Sequence, residues 1–367
     1  MLVARVMSER VELRPAHAKE IVRRRLAAQR LSSAGFERPA DVVAWFGAMQ
    51  AQDYLGALWA VGMRTAKARE AQVESAFAER AVVRSWPMRG TLHFLAAADA
   101  RWMIELLAPR AAARATSRLA KLGLDAAVLL RARRALVKAL EGGRRLTRTA
   151  AYGVLETARV PPGSERGLHV LWQLAHEGLV CFGPREGKQQ TFVLLEEWLP
   201  RSKPRPRDEA LGELARRYFS AHGPATLRDF AWWSSLTLSE ARHAAGLAEP
   251  MLAREVIGGE TYLFGAAPLH RATRASDRAH ALPAFDEFFV GYADRSAALA
   301  PADAPRVTPF QLLAPVLLVD GRMRGTWQRR FVGQRVTFTT KPLAALSAAN
   351  ATAVRRALAR YARFVER

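Results

Sequence analysis

The sequence predicts an α+β, mainly α protein in which a winged helix-turn-helix order occurs twice in tandem. Three observations predict it. LTRTAAYGVLETAR, GLHVLWQLAHEGL and VCFGPREGKQQTFVL follow one another as helix, helix and hairpin over 146–194. The same order returns over 213–264 without obvious sequence identity. Between them PRSKPRPR, at 200–207, reads as a linker, because closely spaced prolines block both helix and ladder formation.

The N-terminal part reads as mostly helical, with helices over 18–31 and 41–49. A helix-turn-helix core fits there, and RSWPMRGTLHFLAAADARWMIELLAPR at 84–110 belongs to it. In the first winged unit, the helix over 167–179 places Leu168, Leu171, Trp172 and Ala175 on one face. Two β-prone runs then flank a polar tip, Gly183 to Lys188, which carries Arg185 and Lys188 where a wing meets phosphate.

In the second unit, 213–223 reads as a helix stopped by Gly223-Pro224, and Thr226 is placed to cap the next. Thr237 and Glu240 have capping-box spacing, so that Thr bonds the third amide while Glu reaches back to the cap. Gly258-Gly259 suits the positive φ of a two-residue hairpin turn in REVIGGETYLF. The last hundred residues turn β-rich over 307–340, where Asp320-Gly321 is the strongest short hairpin signal. A helix from about Ala344 to Val365 closes the chain, and its arginines, Arg355, Arg356, Arg360 and Arg363, read as a solvated face. The expected segments are therefore 1–125, helical; 126–200, winged helix; 201–280, winged helix after the linker; and 281–367, β-rich with a closing helix.

Composition narrows the function. The 367 residues carry 56 Lys+Arg against 34 Asp+Glu, a formal net charge of +22, which points to a polyanionic partner whose counterions are released on binding. Arg outnumbers Lys 49 to 7, a bias that a GC-rich genome also produces. No stretch approaches the roughly 18 apolar residues of a membrane span, and the first residues lack the apolar core of a signal peptide, so a cytoplasmic, nucleoid-associated protein is expected. The single cysteine, Cys181, excludes an internal disulfide, and eight scattered histidines give no metal-ligand spacing. Neither a metal nor a cofactor is expected.

GxSxG, P-loop and GxGxxG signatures are absent. What stands out is MQAQDYLGALWAVGMR, residues 49–64. Gln50 and Gln52 lie about 200° apart around a helix but on one side of an extended strand. If both act on one water, residues 50–52 are not regular helix. Glutamines do not abstract protons near neutral pH, but each offers an acceptor and a donor that fix a water in place. A pair of surface or helix-capping glutamines is the plain alternative.

GAMQAQDYLGALWAVGMR, RSWPMRGTLHFL, CFGPREGKQQTFVLLEEWLP, LPAFDEFFVGYADR and VDGRMRGTWQRR, taken together and in order, resemble the AlkZ-like family of bacterial DNA glycosylases, also described as winged helix DNA-binding domain-containing proteins. The resemblance spans nearly the whole chain. It implies a C-shaped scaffold of tandem winged-helix motifs with a β-rich part, gripping duplex DNA as a monomer. The family's catalytic motif, Gln, an apolar residue and Gln, falls on Gln50, Ala51 and Gln52; the YcaQ-like branch carries an acid at the third position, where this chain has Gln. The implied substrate is an N7-alkylated purine, bulky or crosslinked adducts included. Such a base is already cationic, so Gln50 and Gln52 need only hold the attacking water near C1′.

Asp53 is a further candidate, as base or cation stabiliser. None of the seven lysines lies near the motif, so a Schiff-base step has no candidate and an intact abasic site is the expected product. Arg89 and His93 either contact phosphate and line the pocket or form an ion pair and a core histidine bonded to backbone. Arg185, Lys188, Arg324, Arg329 and Arg330 are the candidate DNA-binding residues. Trp45, Tyr54, Trp59 and Trp86 read as core, and Asp286 and Glu287 as structural, since carboxylates facing DNA are repelled unless paired. The competing function is a non-catalytic winged-helix transcription regulator reading an operator with the same basic surface, which gives the Gln pair no role; an idle architectural protein is a third reading.

Overall fold

The computed structural model describes residues 14–32, 35–163, 165–200, 203–267, 278–333 and 335–366. About 51% is helical, so the protein is α+β and mainly α. Arg201 and Ser202, in the expected linker, lie outside the described residues. Two compact units result: a discontinuous one from 1–73 and 211–367, and an inserted one from 74–210.

The discontinuous unit starts with α1 (Pro15–Ala28) and α2 (Pro39–Phe46), each with proline in its first turn, where the missing N–H costs no helical bond. Gly47, at φ 76°, ends α2 and turns the chain into the short strand β1 (Ala48–Gln50). Helix α3 (Tyr54–Gly62) follows, and α4 (Glu70–Ala78) leads into the inserted unit.

There the region expected to be helical holds a hairpin, β2 (Val82–Met88) and β3 (Thr91–Ala96), turned by Arg89 and Gly90 at φ 56° and 67°. Helices α5 (Ala97–Lys121) and α6 (Ala126–Leu140) come next, and Asp125 caps α6 by accepting from the Val128 N–H. The short strand β4 (Leu146–Thr147), helices α7 (Arg148–Thr157) and α8 (Arg166–His176), strands β5 (Val180–Glu186) and β6 (Gln189–Leu194), and the single turn α9 (Leu195–Trp198) complete the unit. Its strands are antiparallel in the order β3-β2-β5-β6-β4, so the wing hairpin extends into the β2–β3 hairpin.

One apolar core explains why residue 125 is not a boundary of packing: Trp86, Leu92, Leu119 and Leu124 share it with Leu136, Leu155, Leu171 and Phe192. Each such leucine taken fully out of water contributes about 1.5–3 kcal/mol. The buried face of α8 runs through Gly167, Val170, Leu171, Leu174 and Ala175, which turns Leu168 outward at 40% exposure, contrary to its expected place on the apolar face.

Helix α10 (Arg207–His222) returns the chain to the discontinuous unit. An isolated bridge, Ala225 to Leu263, then α11 (Leu227–Ser234), α12 (Leu238–Leu247) and the hairpin β7 (Leu252–Ile257)–β8 (Glu260–Gly265) repeat the order seen in the inserted unit from α6 to β6. Thr237 and Glu240 form the expected capping box, Thr226 and Asp229 form another, and Gly258 and Gly259 turn the hairpin at φ 63° and 86°. After β9 (Ala279–Leu282) and the short α13 (Glu287–Val290), strands β10 (Val316–Val319), β11 (Arg322–Val332) and β12 (Arg335–Pro342) build an antiparallel sheet in the order β12-β11-β10-β9. Asp320-Gly321 makes the expected turn, both at positive φ. Helix α14 (Ala348–Val365), capped by Ser347, buries Val354, Leu358, Tyr361 and Phe364. Among the described residues, no helix is long and apolar enough to cross a membrane.

Candidate active site

The Gln motif lies where β1 ends and α3 has not begun. Met49 and Ala51 are buried, Gln50 is half-buried and Gln52 exposed. The strand ends at Gln50 and the chain bends at Gln52 and Asp53, so residues 50–52 are not helical, and both glutamines are more accessible than the alanine between them.

The main chain of this segment is held from behind. The Gln50 N–H donates to Glu287 Oε1 at 2.8 Å. Glu287 is 1% exposed, and its second oxygen accepts from Trp233 Nε1 and pairs with His222 Nε2, both at 3.1 Å. A buried carboxylate with this many donors has one acceptable position, which it passes to Gln50. Its neighbour Asp286 forms a bidentate pair with the fully buried Arg64 at 2.8 and 2.9 Å and caps α13 by accepting from the Phe288 N–H. Arg64 spends its remaining donors on the Ala60 carbonyl and on the main-chain and side-chain oxygens of Gln29. Gln29 in turn donates to Tyr292 Oη, which donates to the His222 carbonyl. Burial pushes the Tyr292 phenol well above its ordinary range, so it stays a neutral donor.

Asp286 and Glu287 thus have the structural role expected of them, and Glu287 has a more specific one: it seats the glutamine strand. Sequence reasoning found neither this nor His222, Trp233 and Arg64. The signal available was weak: two adjacent acids in an otherwise apolar LPAFDEFFV segment, preceded by Phe285, which adopts a left-handed φ of 58°.

Asp53 is the N-cap of α3, yet its side chain makes no capping hydrogen bond. Its carboxylate leans over the first turn of α3; a Cβ on residue 56 would fall 2.6 Å from Asp53 Oδ2, so Gly56 is what leaves the space. There the carboxylate faces the positive end of the helix.

The other candidates divide between the units. Arg89 and His93 belong to the β2–β3 hairpin of the inserted unit. Buried His93 uses Nδ1 toward the Thr91 carbonyl at 2.9 Å, and Arg89 Nη2 approaches Nε2 at 3.0 Å. Burial, with the Arg89 guanidinium second, holds the imidazole well below 6.5. It is therefore neutral, donating through Nδ1–H and accepting from Arg89. Cys181, fully buried with its thiol pushed up to about 12, has no nucleophilic character.

At the wing, β5 continues through Gly183 and Pro184 with a register shift, so the tip is shorter than expected and only Gly187-Lys188 forms the turn. Lys188 is exposed there, whereas Arg185 lies within the strand and binds Glu74 at 2.6 Å. On β11 the pleat separates the expected arginines. Arg329 shares its face with Trp327 and lies 5.3 Å from the Tyr361 ring, while Arg330 points to the opposite, exposed face. Arg324, at the bulge opposite β10, lies 3.5 Å from the Asp303 carboxylate.

Chemically, two accessible side-chain amides beside a buried carboxylate can orient a water but cannot transfer a proton themselves. The model of the AlkZ-like DNA glycosylase family matches this sequence over residues 43–364. The chain belongs to that family. A relative described as an interstrand DNA cross-link repair glycosylase, from Streptomyces sahachiroi, is 28% identical over 331 residues, covering 82% of this chain and 84% of the relative. The solved structure of the Streptomyces sahachiroi DNA glycosylase AlkZ superposes with a TM-score of 0.77 at 25% identity, covering 95% of this chain and 97% of that one. The AlkZ-like chain described here is accordingly a DNA glycosylase, and DNA is its substrate.

Proposed function

We propose that the protein hydrolyses the N-glycosidic bond of N7-alkylated purines in duplex DNA, bulky and crosslinked adducts included, and leaves an abasic site. The observation that carries this reading is that Gln50 and Gln52, two residues apart, are both accessible while Glu287 holds the Gln50 main chain. Alkylation at N7 leaves the purine positively charged. As the N9–C1′ bond breaks, its electron pair neutralises that charge, and an oxocarbenium-like sugar forms. The water held by the two amide groups adds its oxygen to C1′ and releases its proton to solvent. Positioning supplies the catalysis, and each 1.36 kcal/mol removed from the barrier is about tenfold in rate.

Asp53 stands outside this pair. Its carboxylate, drawn over α3, adds negative potential near the cationic sugar without touching the water. The cross-link repair description of the Streptomyces relative supports extending the substrate class to crosslinks. The protein acts as a monomer and without a cofactor.

The test is release of N7-methylguanine from a defined duplex, read as strand scission after heating in alkali. The unsubstituted protein releases the base. Gln50→Ala and Gln52→Ala each lower release by on the order of 10²-fold while duplex binding persists. Undiminished release by the double variant would overturn the roles given to the glutamines; operator-specific binding without base release would favour a regulator.

A further inference from the structure

The discontinuous unit has a recess of about 260 Å³ bounded by α3, β9 and α14. Trp59, Met63 and the buried His280 line it, with Arg356, Arg360 and Arg363 contributed by α14. None of its lining residues is acidic.

Spacings of four and three residues bring the three guanidinium groups onto one face of α14, with Cα atoms spanning roughly 10 Å. Like charges at these spacings destabilise a helix. A solvated face is the ordinary explanation for such arginines. Here, however, α3 and β9 turn that face into a depression that Trp59, Met63 and five alanines also line. Arg360 is fixed in advance, since its Nη2 donates to the Met63 carbonyl at 2.6 Å and so caps the end of α3. Arg69 donates to the Arg363 and Glu366 carbonyls, offsetting the negative end of α14 beside the recess.

We infer that this recess binds a phosphate ester. Several guanidinium groups match the oxygens of a phosphoryl group better than a single carboxylate. The volume leaves room for the attached sugar, which inorganic phosphate would not fill. The ester has two sources: a backbone diester of the DNA being repaired, which rests on the proposed function, or the monoester of a free nucleotide, which does not.

Arg356 and Arg363 are exposed, so Arg356→Ala/Arg363→Ala leaves the core intact; Arg355→Ala, one residue along the helix and outside the recess, is the control. Duplex affinity is measured against salt, AMP binding by calorimetry, and base release on the same samples. If the recess takes a DNA diester, the double variant lowers the slope of log K against log[salt] by about 1 to 2, the control lowers it less, and base release at saturating protein is retained. If it takes a free monoester, the unsubstituted protein and the control bind AMP, the double variant does not, and the duplex slope stays the same. Equal slopes for the double variant and the control, with no AMP binding to any of the three proteins, overturn the inference. Failure of the glycosylase reading appears separately, as absence of base release by the unsubstituted protein.

Discussion

The interiors of the two units are organised differently. The inserted unit has a large apolar cluster from Trp86 to Leu194, with Arg84, Ser85, His93, Asp99, His176 and Thr191 buried as well. The discontinuous unit buries Arg25, Arg64, Asp229, Asp286 and Glu287 together with Gln29 and His222, joined by directional bonds. Apolar packing stabilises strongly but tolerates small displacements, because its contacts have little directionality. A saturated polar network does the reverse: it contributes little net stability against a well-packed apolar alternative, yet it fixes atoms in place. Gln50 is attached to the second kind of interior, and the proposed positioning role needs that kind.

The largest stability effects should separate the two interiors most clearly. Arg64→Met strands the buried Asp286 carboxylate and should cost about 3–5 kcal/mol; base release should fall further than unfolding explains, as a lower single-turnover rate for the fraction still folded. Leu136→Ala opens a cavity in the apolar core at a cost of about 2–5 kcal/mol, but its folded fraction should release base at the normal rate. Equal per-molecule rates in the two variants would erase the contrast. Glu287→Gln keeps the volume yet gives Trp233 and His222 a weaker acceptor or an opposing donor; about a tenfold loss of rate is expected with duplex binding retained.

Acid should separate the units as well. His176 titrates near 4 in the folded inserted unit because burial disfavours its charged form, against an ordinary 6.5. The unfolded chain takes up the proton first, so this contribution is fully present above 6.5 and is lost as pH falls to 4, on the order of 3 kcal/mol in all. His93, depressed by burial and by Arg89, acts in the same direction. In the discontinuous unit, Glu213 is held at about 2 by Arg216 and Arg217 against its burial, so its contribution persists to lower pH and is lost between 4.5 and 2. Hydrogen exchange resolved by peptide should therefore show inserted-unit amides opening before pH reaches 4. The smallest effect concerns the wing: Lys188→Ala should lower the salt slope of duplex binding by about 1, and Arg185→Ala by less, since Glu74 already neutralises that guanidinium.

Elements with local punctuation were legible in the sequence. Asp320-Gly321, Gly258-Gly259 and the Thr237/Glu240 box carry their conformation in two to four adjacent residues, and each sits where it was expected. The β2–β3 hairpin was not, because its turn is Arg89-Gly90 and arginine is not a usual turn-former at positive φ. Prolines misled at Pro184, where the strand runs on through a shifted register. The alternation of Gln50 and Gln52 was readable as a condition on the backbone, but the carboxylate that seats Gln50 lies 237 residues further on and the histidine that binds that carboxylate another 65 residues back from it. Contacts at such separations leave no periodic trace.

The pairing of Arg64 with Asp286, 222 residues apart, also sets a schedule for synthesis. At ribosomal rates of about 5–20 residues per second, the guanidinium waits roughly 10 to 45 s for its counter-charge. In that interval residues 74–210 are complete and free to condense on their own apolar core. A nascent or truncated polypeptide that stops short of residue 287 lacks the carboxylate that seats Gln50, so on the proposed role of the glutamines only copies that extend past it acquire the competence to cut a base from the genome.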